Sequence, residues 1–189
     1  MPNYRLRRQA RDPYQPACRR RDYRAAALLQ SVKGLVDDTD FAAVAAFQAQ
    51  AAELRRQVAA AAGEIGRTRD DLRQMRAALL ATPKADAALF GRIDAAQKAL
   101  AELARRLNGD PARQRLNEST APSIGARANS AMNALETTGM PTATQRSDVE
   151  IAGAELAALS KEFAALRAGE LAAIRAALEA AGAPWTPRR

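Results

Sequence analysis

The chain has no histidine and a single cysteine among its 189 residues. The first absence removes the commonest general base, the usual metal ligand and every Glu-x-x-His di-metal helix motif. The second leaves Cys18 without a partner for an intramolecular disulfide or a Cys-x-x-Cys metal site, so it reads as a free thiol. Aromatic residues are scarce, at 4% with one tryptophan. No apolar run approaches the roughly 20 residues of a membrane span, and no membrane partner is expected. The longest N-terminal apolar run, Ala25 to Leu29, follows Asp22 and is too short for a signal-peptide core. There is no glycine-rich phosphate loop, nucleophile elbow or metal cluster, so no cofactor is expected.

What is present is alanine and charge. Hydrophobic content is 48%, much of it alanine, which favours helix while burying little area per residue. The net charge of +8 is concentrated at one end: residues 1–36 carry nine basic residues against two acidic ones, a net of +7. The remainder of the chain is nearly neutral. Residues 1–38, with Pro2, Pro13 and Pro16 among the arginines, read as a largely irregular basic tail with a possible short helix over 21–36. Residues 39–189 read as one helical domain.

The body opens on the clearest pattern in the protein. Val44, Phe47, Ala51, Leu54, Val58, Ala61, Ile65, Thr68, Leu72, Met75 and Leu79 recur at 3,4 spacing, which predicts a helix from about residue 40 to 81. Gly63 and Gly66 weaken it by roughly 1 kcal/mol each. Thr82-Pro83 ends it, with Pro83 expected near the first position of a second helix over about 84–108. That helix carries Leu89, Ile93, Ala96, Leu100, Leu103 and Leu107, and Asn108-Gly109 stops it. A polar loop over 109–120 precedes a shorter helix, expected from near Pro122 with Thr120 as its cap. Thr142 and Gln145 form a capping-box pattern opening the last helix. Its stripe is Val149, Ala152, Leu156, Leu159, Phe163, Leu166, Leu171, Ile174 and Leu178, and the step from 166 to 171 beside Gly169 breaks the heptad like a stutter. Gly182 ends the helix, with Trp185 three residues beyond.

These lengths predict an all-α fold, an elongated antiparallel bundle of two long and two shorter helices. The two intervening helices together hold about as many residues as either long one, and their packing order is left open. The 3,4 seams also fit a coiled-coil oligomer, although the short connections at Thr82-Pro83 and Gly139–Pro141 favour folding back within one chain.

Glu150, Glu155, Glu162, Glu170 and Glu179 lie on the last helix at solvated positions, whereas glycosidase chemistry needs two carboxylates converging on one cleft. The tail arginines Arg5, Arg7, Arg8, Arg19, Arg20, Arg21 and Arg24 offer contacts to a polyanion, with Tyr4, Tyr14 and Tyr23 available for stacking.

Three segments in order, Leu116-Asn117-Glu118-Ser119-Thr120-Ala121-Pro122-Ser123-Ile124, then Pro141-Thr142 with Gln145-Arg146, then Ala180-Ala181-Gly182-Ala183-Pro184-Trp185-Thr186-Pro187, carry a resemblance. They resemble the C-terminal helical region of large bacterial proteins with a sortilin-like (BNR-repeat, Asp-box) β-propeller, proteins commonly labelled glycosyl hydrolases. Proline, usual in that pattern at the positions of Ser119 and Ala121, is replaced here. The resemblance spans about residues 40–189 and implies a helical accessory region, detached or stand-alone, without the propeller. It transfers no catalytic residue. The expected role is non-catalytic packing or protein contact through the loop 109–124 and Trp185, with Trp185, Asn117, Glu118 and Ile124 as contact candidates and a β-propeller or other protein as partner. Local loop and cap hydrogen bonding is the simpler role for Asn117, Glu118 and Ser123, and closure of its own bundle the simpler role for Trp185. Nucleic-acid or polyanion binding by the tail is the alternative, and a glycosidase-type enzyme the second alternative.

Overall fold

A computed structural model describes residues 40–132 and 139–184. Contacts divide the chain into two units, Met1–Phe41 and Ala42–Arg189, and the helices below belong, but for one terminal residue, to the second. The possible helix over 21–36, the seven tail arginines and Trp185 lie outside the described residues.

The described residues are helical, with no strand among them. Helix α1, Phe41–Leu80, is 40 residues and so about 60 Å long. Ten of the eleven seam positions are buried; Ala61 is half-buried, and Ala78 joins the inward face. The seam is continuous through Gly63 and Gly66 because the leucines, Ile65 and Met75 on either side bury enough apolar area, at about 1.5–3 kcal/mol per large side chain, to outweigh two weak helix formers.

Helix α1 ends as Thr82 Oγ1 donates back to the Ala78 carbonyl at 2.8 Å. The second helix, α2, Ala88–Asn108, begins later than the Pro83 signal predicts. Pro83 sits in the connecting turn, and the start is fixed by Asp86, whose carboxylate accepts the Ala88 N–H at 2.9 Å. The six predicted core positions of α2 are all buried.

A five-residue helix, α3 (Pro111–Arg115), lies inside the stretch expected to be loop. Helix α4, Ile124–Met132, starts two residues past Pro122, and Ser123 rather than Thr120 caps it, its Oγ accepting the Ala126 N–H at 3.2 Å. Thr142 opens α5, Ala143–Leu166, through the capping box expected of it: its hydroxyl accepts the Gln145 N–H at 3.2 Å while Gln145 Oε1 accepts the Thr142 N–H at 2.8 Å.

The heptad break between Leu166 and Leu171 is a single π-helical turn, Arg167–Leu171, running directly into α6, Ala172–Ala180. A five-residue step in a regular α-helix would swing the stripe about 100° off the heptad line. The wider turn absorbs the extra residue, so Phe163, Leu171, Ile174 and Leu178 all stay buried. A Schellman motif ends α6: the Ala183 N–H reaches the Leu178 carbonyl, the Gly182 N–H reaches Glu179, both at 3.0 Å, and Gly182 has φ +75°.

Cross-helix pairs give the directions. Arg76 meets Asp94 and lies over the Phe90 ring, so α1 and α2 are antiparallel. Arg92–Glu170 at 2.7 Å and Arg106–Glu162 at 2.6 Å make α2 antiparallel to the α5–α6 column. Arg167–Glu64 at 3.0 Å joins that column to α1, with which it runs parallel. Helix α4 is antiparallel to α5 and tied to it by Arg127–Asp148 at 2.8 Å, a pair only 22% and 12% exposed. Its start abuts the end of α2: a side chain at Gly125 would lie 3.0 Å from the Leu107 carbonyl and 3.8 Å from Val58.

The bundle is therefore three columns. Helix α1 forms the first, α2 followed end to end by α4 the second, and α5, the π turn and α6 the third. The two shorter helices predicted from sequence stack in one column, and the two long ones flank it.

Candidate functional site

The chain leaves the second column after α2 and rejoins it at α4, and the intervening excursion is held by its own hydrogen bonds. Gly109 turns at φ +90°, its N–H donating to the Arg105 carbonyl at 2.8 Å. A side chain there would sit 2.5 Å from Gln114 Nε2, which covers the end of α2 by donating to the Asn108 carbonyl at 3.3 Å. Only glycine fits both the backbone angle and that close amide.

Asp110 caps α3, accepting the Ala112 N–H at 2.9 Å and the Arg113 N–H at 3.4 Å, with Pro111 in the first helical turn. Helix α3 closes in a second Schellman motif: Glu118 N–H to the Arg113 carbonyl at 3.0 Å, and Asn117 N–H to Gln114 at 3.2 Å. Asn117 takes the left-handed position at φ +52°, which asparagine tolerates better than most residues.

Residues 111–122 are all exposed, including Leu116 at 70%. Between this segment, the end of α2 and Glu155 of α5 lies a groove of about 520 Å³ bearing the guanidinium groups of Arg105, Arg106 and Arg113. Each has a carboxylate neighbour: Glu102 for Arg105 at 2.6 Å, Glu162 for Arg106 at 2.6 Å and Glu118 for Arg113 at 3.8 Å. The hydrogen bond from Arg105 holds the Glu102 carboxyl below the ordinary range, and that from Arg106 does the same for Glu162. Arg92 likewise holds Glu170 down.

The predicted contact residues separate. Asn117 and Glu118 are exposed on the excursion, where Asn117 also makes the turn and Glu118 neighbours Arg113. Ile124 faces inward, 2% exposed in the bundle's own core, because it is the first apolar position of α4; its side chain offers no surface. Leu116 falls within the 109–124 loop expected to make contact but is not among the residues singled out from sequence, although a leucine in an otherwise polar loop is a signal for one.

Among the described residues no set of three or more Cys, Asp or Glu is grouped to hold a metal ion, and no helix is long and apolar enough to cross a membrane. Neither a protein-family model nor a curated protein nor a solved structure matches this chain.

Proposed function

We propose that this chain is a non-catalytic helical accessory domain that docks a partner protein through the excursion over residues 111–122. The observation that carries the reading is the contrast within this segment. Its backbone through Glu118 is fixed by an aspartate cap, a proline and a Schellman motif, yet none of its twelve residues is buried. Ordering a residue costs on the order of 1–2 kcal/mol of backbone entropy, and no core burial here offsets it. A pre-ordered, exposed segment with a solvent-facing leucine suits a binding surface, because order present beforehand need not be acquired on docking.

The partner implied by the resemblance of the Leu116–Ile124, Pro141–Arg146 and Ala180–Pro187 segments is a β-propeller. The test is calorimetric titration of the chain with a sortilin-like propeller supplied as a separate polypeptide. The reading expects saturable binding weakened at least tenfold by Leu116→Ser; binding unaffected by that change removes the excursion as the contact.

The charge asymmetry favours a second reading, polyanion binding by the tail. Phosphate contacts release counterions, so affinity should fall steeply with salt. A salt titration of nucleic-acid binding with and without residues 1–36 decides it, and equal binding by the two chains would end that reading.

A further inference from the structure

The π turn opens a second groove, between α1 and the third column, of about 390 Å³. Its apolar floor is presented by Ala164 and Ala168, both exposed, with Met75 and Leu171 buried beneath them. Three guanidinium groups line it, Arg67, Arg167 and Arg175, against two carboxylates, Glu64 and Asp71. Glu64 is taken by Arg167 at 3.0 Å, and Arg167 also lies 5.6 Å from the Phe163 ring centre. Among the described residues neither Arg67 nor Arg175 has an ion-pair partner, and the Nε of Arg175 is buried with no hydrogen-bond acceptor. A buried donor without an acceptor is costly enough to call for an explanation.

We propose that this groove is a binding site for a monocarboxylate with an apolar body, the carboxylate taken by Arg175, with Arg67 also lining the groove, and the body lying on Ala164 and Ala168. Charge selects the class. Three cations against two anions leave room for one negative charge, whereas a phosphate dianion would face Glu64 and Asp71 with one charge too many. The apolar floor selects the body, since a fully polar anion would gain nothing from covering it. The volume falls in the range of small-molecule sites. The π turn builds the groove by inserting one residue without moving the core stripe, and such turns recur at functional sites.

Octanoate is the probe, titrated into the full-length protein while the arginine Nε–H resonances are followed by NMR, with octanol and inorganic phosphate as controls. A ligand of ten non-hydrogen atoms at ordinary efficiency gives a Kd on the order of 1–10 mM. The expected result is saturable movement of the Arg175 signal with octanoate and at least tenfold weaker binding of both controls. Arg175→Gln and the exposed Arg67→Gln should each weaken octanoate at least fivefold, the second serving if the first disturbs folding. Equal binding of octanol, equal binding of phosphate, uniform linear drift of all arginine signals, no movement at Arg175, or unchanged affinity in Arg67→Gln would each overturn the proposal.

Discussion

Gly125 stands where the second column is joined: the position its side chain would occupy is 3.0 Å from the Leu107 carbonyl oxygen. The end of α2 and the start of α4 meet backbone to backbone, and the excursion over 109–123 leaves and returns at that seam. A Cβ here presses on a main-chain oxygen that no rotamer change can move. Gly125→Ala should therefore destabilise the bundle by about 1–3 kcal/mol. Gly153→Ala, within α5 with open space around it, should stabilise by about 0.5–1 kcal/mol. Urea unfolding of the two variants side by side checks the opposite signs.

The π turn gives a deletion test. Removing Gly169 shortens the step from Leu166 to the next core leucine from five residues to four, which an α-helix accommodates with the stripe intact. The deletion should leave far-UV circular dichroism native and stability equal or up to about 1 kcal/mol higher, since a helical glycine is lost. Unfolding of the deletion variant would show that the π turn is needed for the fold.

The Arg127–Asp148 pair links α4 to α5 with little solvent access, and Arg127 Nε has no partner of its own. Asp148→Ala strands a mostly buried guanidinium and should cost about 2–3 kcal/mol. Arg127→Met combined with Asp148→Leu should recover most of that loss, as thermal unfolding of the three variants would show.

Acid sensitivity follows from Glu162 and Glu170, whose folded-state pKa values are lowered by the hydrogen bonds from Arg106 and Arg92. A lowered carboxyl adds stability that is fully present above its unfolded value and lost as the pH falls through the folded one. Stability should thus decline from about pH 4.5 downward, the ordinary carboxyl value. Glu162→Gln with Glu170→Gln should lower stability at pH 6 and flatten the decline between pH 4.5 and pH 3. Glu162 is exposed and Glu170 half-buried with its carboxyl open to solvent, so the effect is small and calls for denaturant midpoints at matched ionic strength.

Much of the fold was legible because it rests on periodicity. The stripes of α1, α2 and α5–α6 come from the repeat of apolar residues alone, and Leu166 and Ala61, the two half-buried exceptions, sit at positions the stripes only graze. The step at Gly169 was visible, but its form was not: a stutter and a π turn absorb the same extra residue. Boundaries failed where a less obvious cap won, Asp86 over Pro83 and Ser123 over Thr120, since each choice depends on which side chain reaches an N–H. Ile124 was read as a contact for its place at the end of a loop, although its spacing with Ala128 and Ala131 marks it as core. The stacking of α4 on α2 was not legible, because it depends on the distance between Gly125 and one carbonyl. The groove at Arg175 was equally hidden, being assembled from residues about a hundred positions apart.

The most direct test is thermal unfolding of a chain in which residues 111–122 are replaced by a short glycine-serine linker. If the excursion is a docking surface on a bundle complete without it, the melting temperature should stay within about 3 °C, a change below roughly 1 kcal/mol. A drop of 10 °C or more, or loss of the cooperative transition, would contradict the account by showing that the excursion belongs to the fold.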